Sequence, residues 1–199
     1  KAVFRNLYLF WVKIFALSFG MGVVSGVVIS YQFGTNWSVF SSQVGSVIGP
    51  LLGYEVLTAF FLEASFLGIM LFGWKKVGPR LHFASTCIVA VGSLISSFWI
   101  LAANSWMQTP QGFAFAQDGT MVATNFVEVI FNPSLPSRLA HMVLAAFLTT
   151  AMVVAGASAF ALIMKKAIPE SRTALRMAVL MMAIVAPLQT VVGHESGKV

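Results

Sequence analysis

Five long apolar runs, separated by short polar segments, make up most of this chain. They extend from about Leu7 to Tyr31, Leu51 to Phe72, His82 to Met107, Ser137 to Met164 and Leu175 to Val192. A helix that crosses the hydrocarbon core of a bilayer needs about 20 mostly apolar residues, and the runs are of that order. The pattern predicts an all-α, polytopic transmembrane helix bundle, with residues 1–199 as one membrane-embedded helical domain. Between the runs, Gln32 to Pro50 carries no charge and is rich in Gly and Ser, as a loop at the outer interface would be. The segment Gln108 to Pro136 is longer, and Asn132-Pro133 and Leu135-Pro136 should force turns before the fourth helix. Pro187 falls inside the fifth run and should kink it, leaving backbone groups for a neighbouring helix or water to satisfy. Gly20, Gly22 and Gly26 read as a small-residue face for close helix packing.

Composition supports the membrane reading. The chain is 58% hydrophobic and 9% charged, against about 25% charged in soluble domains, and its mean hydropathy is +0.88. The net charge of +6 suggests nucleic acid only until the charges are placed. Lys1, Arg5, Lys75, Lys76, Arg80, Lys165, Lys166, Arg172 and Arg176 fall at or beside the odd-numbered polar segments. The even-numbered ones hold only Lys198 and Arg138, with Asp118, Glu128 and Glu195. Cytoplasmic loops concentrate Lys and Arg, so the N-terminus of this piece is expected in the cytoplasm and its C-terminal tail outside. Trp37, Trp74, Trp99 and Trp106 fall near the expected interfaces, as aromatic belts do. The single cysteine, Cys87, excludes an internal disulfide and any cysteine-based metal cluster. The chain starts at Lys1 rather than methionine and stops at Val199 inside a polar motif, so it reads as a piece of a longer protein. Nothing at its start has the layout of a signal peptide.

Candidate chemistry lies in the few polar groups at membrane depth. Glu63 sits near the middle of the second run, and Glu55 eight residues earlier, nearer the outer surface. An ionised side chain at the bilayer centre costs roughly 3 kcal/mol on insertion scales, so such residues are rare and face protein or a wet cavity. On a regular α-helix the two acids would lie about 12 Å apart along the axis and about 80° apart around it. They could serve one cavity at two depths without touching. Two protonated, hydrogen-bonded carboxyls would be the structural account; a proton path or cofactor contact is the functional one. His141 stands in the first turns of the fourth helix, with Arg138 three residues earlier on the same face. Imidazole is a common axial ligand of haem iron, and a histidine packed on a carbonyl is the alternative. Arg138 could pair with a haem propionate, whereas Met142 points elsewhere. His82 reads as a surface or cap residue and His194 as solvated. Ser96, Ser97 and Asn104 line the third helix, where small polar residues glue helices or carry protons. No P-loop, dinucleotide fingerprint or zinc spacing is present.

Several stretches together resemble subunit I of the cytochrome bd quinol oxidases. They are Gly20-Met21-Gly22-Val23-Val24-Ser25-Gly26 through Tyr31-Gln32-Phe33-Gly34-Thr35-Asn36-Trp37, and Gly49-Pro50-Leu51-Leu52-Gly53-Tyr54-Glu55 with Phe60-Phe61-Leu62-Glu63-Ala64. Trp99-Ile100-Leu101-Ala102-Ala103-Asn104-Ser105-Trp106-Met107-Gln108, Pro136-Ser137-Arg138-Leu139-Ala140-His141-Met142 and Gly193-His194-Glu195-Ser196-Gly197 complete the set. The last is similar to the form in the cyanide-insensitive branch. The resemblance implies a terminal respiratory oxidase of the bacterial inner membrane, which oxidises quinol near the outer face and reduces oxygen to water. Protons drawn from the cytoplasm would build a membrane potential without pumping. It implies a low-spin haem b, a high-spin haem b and a third haem, d or b. The implied partners are quinol, oxygen, a second oxidase subunit and membrane lipid, with no nucleic acid.

By the same resemblance, His141 matches the axial histidine of the low-spin haem b, and Glu55 a carboxylate at the high-spin haem pair. Glu63 matches a carboxylate on the proton path, with Ser96 and Asn104 lining that path or its pocket. The family's first helix, with a haem histidine, would precede Lys1. The quinol loop would begin at Gly193, and the methionine opposite His141 would lie beyond Val199. The piece expressed alone is therefore expected to show no quinol-dependent oxygen uptake. A proton-coupled transporter using Glu55 and Glu63, or a purely structural subunit, also fits the residues taken without the resemblance.

Overall fold

A computed structural model describes residues 1–197 of the chain; Lys198, counted above among the outer charges, lies outside them. The elements are α1 (Ala2–Thr35), α2 (Ser38–Glu55), one π-helical turn (Val56–Phe60), α3 (Phe61–Phe72), α4 (Pro79–Gln108), β1 (Phe113–Phe115), β2 (Met121–Ala123), α5 (Phe126–Ile130), α6 (Leu135–Ile163) and α7 (Ile168–Ser196). Among the described residues, five helices are long and apolar enough to cross a membrane: α1, the continuous stretch Ser38–Phe72, α4, α6 and α7. The all-α polytopic architecture is thus the one the apolar runs predict.

The helices overrun the apolar runs, because a helix continues until its backbone is stopped rather than until hydropathy falls. Pro79 in the first turn of α4 and Pro169 in that of α7 start those helices where a missing N–H costs nothing. The largest difference is at Gln32 to Pro50, read above as a loop. Only Asn36 and Trp37 separate α1 from α2, and the rest is helix. Val44, Val47, Ile48 and Leu51 recur at spacings of three and four and are all buried. That face gives α2 something to pack, and it outweighs the Gly and Ser content. Pro50 is carried inside α2.

Lys1–Phe15 and the described residues of Ser137–Val199 form one compact unit, and Ala16–Pro136 another. In the second unit, the buried face of α2 packs with Ala103 and Trp106 of α4 and Val129 of α5. Burying one large apolar side chain such as Leu51 contributes about 1.5–3 kcal/mol. Trp106 is therefore no belt residue: it is 1% exposed, and its indole N–H donates to the Gln111 carbonyl at 2.9 Å. Trp37 and Trp74 remain exposed, as the interface pattern expects. Gly20, Gly22 and Gly26 differ from expectation: a Cβ at any of them would meet nothing within 4 Å, and α1 buries no residue. Their close packing is not made among the described residues.

The segment between α4 and α6 is folded, not a plain loop. β1 and β2 pair antiparallel, with Phe113 opposite Ala123 and Phe115 opposite Met121. Gly119 (φ +82°) closes the hairpin turn. The Asp118 carboxylate accepts from the Thr120 amide (3.0 Å) and hydroxyl (2.7 Å), and these bonds hold its pKa below the ordinary value. A depressed carboxyl pKa stabilises the turn above the unfolded value, and that contribution is lost as pH falls through the folded one. Ser46 of α2 donates to the Met121 carbonyl, tying the hairpin to the helix. Asn125 caps α5 by accepting from the Val127 and Glu128 amides. In the other unit, Lys165 (φ 53°) and Ala167 (φ 42°) take left-handed backbone in the tight α6–α7 turn. Asn6 of α1 donates to the Glu170 carboxylate of α7 at 2.8 Å.

Candidate functional site

Glu63 is 6% exposed, the most buried ionisable side chain among the described residues, and Glu55 is half-buried. Both carboxylates face α4. Ser93 donates to Glu63 Oε1 at 2.5 Å and Ser96 donates to Glu55 Oε1 at 2.7 Å. Ser93 and Ser96 are one turn apart on α4, roughly 4.5 Å along its axis. Ser93 has a second acceptor, the Val89 carbonyl at 3.2 Å. One hydroxyl proton cannot serve both fully, so this serine has two orientations open to it. Beside Glu55, Tyr54 stacks on Trp99, whose indole donates to Thr58 at 2.9 Å. Thr58 in turn donates to the Tyr54 carbonyl at 2.6 Å.

The π-helical turn explains how both acids reach the same helix. Val56–Phe60 lies between them and absorbs one extra residue. The eight-residue interval then behaves as a seven-residue one, so the acids lie within about 20° of each other instead of about 80°. The angular separation expected from regular helix is thereby corrected. Such turns inside α-helices recur at functional sites.

Gly92 makes the seat for Glu63. A Cβ added there would lie 2.6 Å from Glu63 Cγ and 3.1 Å from Leu62 Cδ2. Gly92→Ala must therefore push the carboxylate away from Ser93. Overpacking of this kind typically costs 1–3 kcal/mol. In the full-length protein this variant is expected to lower the thermal unfolding midpoint in detergent, and Gly92→Leu to prevent folding. An unchanged midpoint for Gly92→Ala would show that the α3–α4 contact is loose.

His141 and Arg138 lie on α6, both half-buried. The imidazole faces α7. Gln189 Nε2 is 3.2 Å from its Nδ1 and 3.3 Å from its Nε2. One turn further along α7, a Cβ on Gly193 would lie 3.2 Å from His141 Cε1 and 3.5 Å from Nδ1. Ser196 closes this end by donating to the Ser137 carbonyl at 3.2 Å. An imidazole nitrogen in this seat suits an iron ligand, since the glycine leaves the ring room and the amide offers it a hydrogen-bonding partner. Met142 is exposed.

The other polar residues sort differently. Asn104 is exposed on α4. Ser97 donates to its own helix, at the Ser93 carbonyl. His82 is buried, not at the surface, with Nε2 3.1 Å from the Met70 carbonyl and its ring edge-on to Trp74. It is a cap, but of α3: the short turn after Phe72 folds the start of α4 back so that the ring meets one of the last carbonyls of α3. His194 is exposed, as expected. No three His, Cys, Asp or Glu side chains gather as a metal site among the described residues. A cleft of about 600 Å³ lined by Phe10, Trp11, Ser158 and Lys166 includes neither Glu55, Glu63, His141 nor Gln189. Ser93, Gly92, Gln189 and Gly193 escaped the sequence reading. A hydroxyl or a glycine in an apolar helix looks like packing until its partner is known, and only Gly193, inside the quoted motif, left a trace.

The family described as cytochrome bd terminal oxidase subunit I matches residues 1–199. The chain is similar to cytochrome bd-II ubiquinol oxidase subunit 1 of Escherichia coli (strain K12), 42% identical over 164 residues, covering 82% of this chain and 32% of that protein. It is similar to cytochrome bd ubiquinol oxidase subunit 1 of Bacillus subtilis (strain 168), 40% identical over 180 residues, covering 88% and 38%. The chain thus spans less than two-fifths of the length of these two relatives. Among solved structures it is similar to the bd oxidase from Geobacillus thermodenitrificans, with TM-score 0.87 and 34% identity over 94% of this chain and 43% of that one. A family match over the whole length, carried on five apolar helices, assigns this chain to the cytochrome bd terminal oxidase subunit I family.

Proposed function

We propose that the protein containing this chain oxidises quinol and reduces oxygen to water in the bacterial inner membrane, together with a second oxidase subunit. The seat of His141 carries the proposal: a half-buried imidazole held between an amide and a glycine on the facing helix. His141 would hold a low-spin haem b, with Arg138 on the same face available to a propionate. Glu55 would lie at the high-spin haem b and its neighbour, haem d or b, and Glu63 on the route of protons from the cytoplasm. Bound haem supplies reversible one-electron chemistry; the chain's own residues hold it and move protons. Ser93 and Ser96 supply the hydroxyls on that route, Ser93 beside Glu63 and Ser96 beside Glu55. Asn104 would line the pocket from the outer end of α4. The N-terminus of the chain is assigned to the cytoplasm and residue 197 to the outside, on the distribution of Lys and Arg.

A second reading, a proton-coupled transporter, is favoured by one observation: two carboxylates aligned on one face of α4 would serve ion transfer without any haem. Reduced-minus-oxidised absorbance of the purified full-length protein separates the two. The oxidase gives b-type bands and consumes oxygen when quinol is added. A colourless preparation that moves protons with a solute would leave the transporter.

A further inference from the structure

We propose that Gln189 is the positioning residue for His141: its side-chain carbonyl accepts the Nδ1–H of the imidazole and leaves Nε2 as the nitrogen that binds haem iron. The inference rests on the reading of His141 as a haem ligand. A neutral imidazole has one donor and one acceptor nitrogen. The Gln189 amide nitrogen lies within reach of both, at 3.2 and 3.3 Å, but can donate only to the unprotonated one. Meanwhile Gln189 Oε1 is buried and has no hydrogen-bond partner; among the described residues only Ser105 Oγ shares that condition. A buried amide oxygen without a donor is costly. The amide that carries this oxygen already touches the one ring whose N–H needs an acceptor.

The two ends of an amide have nearly the same shape. Turning the Gln189 amide by half a turn brings Oε1 close to the point now held by Nε2, beside His141 Nδ1. Once iron occupies the ring's Nε2, Nδ1 must carry the proton, and the turned amide accepts it. No other α7 group near the ring is available for this: Thr190 directs its hydroxyl to the Ala186 carbonyl at 3.0 Å. Gly193, four residues after Gln189 and on the same face, lets the ring lie against α7, since any side chain there would press on Cε1 and Nδ1. Histidines bound to metals almost always donate their second N–H to an oxygen, and removing that partner typically lowers metal affinity 10–100-fold. Gln189 supplies that oxygen from within the membrane span, where water is scarce.

The test uses the full-length oxidase complex carrying Gln189→Leu, Gln189→Glu or His141→Ala, beside the parent. Gln189→Leu keeps apolar volume and removes the acceptor. It should retain b-type bands but release haem roughly tenfold faster on dilution into detergent. A redox titration should show this haem easier to reduce, because an imidazole that donates no hydrogen bond is a poorer electron donor to ferric iron. A tenfold shift in that equilibrium is about 59 mV for one electron. Gln189→Glu restores an acceptor oxygen and should bring both readouts back to the parent's or beyond. A Gln189→Leu complex whose titration and haem release overlay the parent's overturns the proposal. If Gln189→Leu does not assemble, Gln189→Met, of similar length and without the oxygen, is read by the same criteria. Full b-type absorbance in His141→Ala would instead remove the haem-ligand reading itself.

Discussion

On the proposed function, Glu63→Gln in the full-length protein is expected to lower quinol-driven oxygen uptake by roughly 100-fold or more, while the helices and the haem bands persist. The size follows from the role. A positioned group that gives and takes protons typically contributes 10²–10⁴-fold, and an amide cannot replace it because it does not titrate. Gln is nearly the same shape, so the seat beside Gly92 is kept and Ser93 can still donate to the side-chain oxygen. Stability therefore changes little, and lost turnover reports proton delivery. The measurement is oxygen consumption with excess quinol, with helicity followed by circular dichroism and haem by absorbance. Unaltered uptake would make Glu63 a structural acid, which is what a purely structural subunit requires. Ser93→Ala should show a smaller loss in the same direction, since it removes one hydroxyl from the route and leaves the carboxylate.

On the same reading, His141→Ala is expected to remove one set of b-type bands and take quinol-driven oxygen uptake to background. The imidazole is the only nitrogen ligand that α6 can offer at this depth: the next titratable side chain along the helix, Lys165, lies beyond its end at Ile163. Alanine leaves space where the ring stood, and Gln189, with an amide and no imidazole to meet, cannot ligate iron in its place. The difference spectrum therefore loses a whole component rather than shifting it. Retention of every band would place the haem ligand elsewhere and leave His141 as a packed histidine.

The spans and the acids were legible because each is a local signal. An apolar run of membrane length announces itself, and a glutamate inside it stands out against leucines. His141 and Arg138 were legible through their spacing on one helix. The partners were not. Ser93 and Ser96 differ in no local feature from Ser97, yet only the first two meet a carboxylate. The helix in Ser38–Glu55 was missed because Gly and Ser suggested a loop, while its four buried apolar positions gain their value only against Trp106 and Val129. His82 was read as a surface or cap residue, and Trp106 as a belt residue, because each lies near the end of an apolar run. Both are buried, His82 against the end of α3 and Trp106 against α2 and Val129.

The residues alone determined that this chain must lie in lipid, in five passes, with two carboxylates that something has to satisfy. That follows from the cost of taking backbone and charge out of water, which depends on composition and order only. Tertiary structure decided which face each acid presents and what meets it. One π-helical turn rotated Glu55 into line with Glu63, and α7 set Gln189 and Gly193 against His141. The hydrogen bonds at Glu63 and His141 join residues 30 and 48 positions apart in sequence. Their energy depends on helix phase and approach, quantities that a single extra residue in one turn is enough to change.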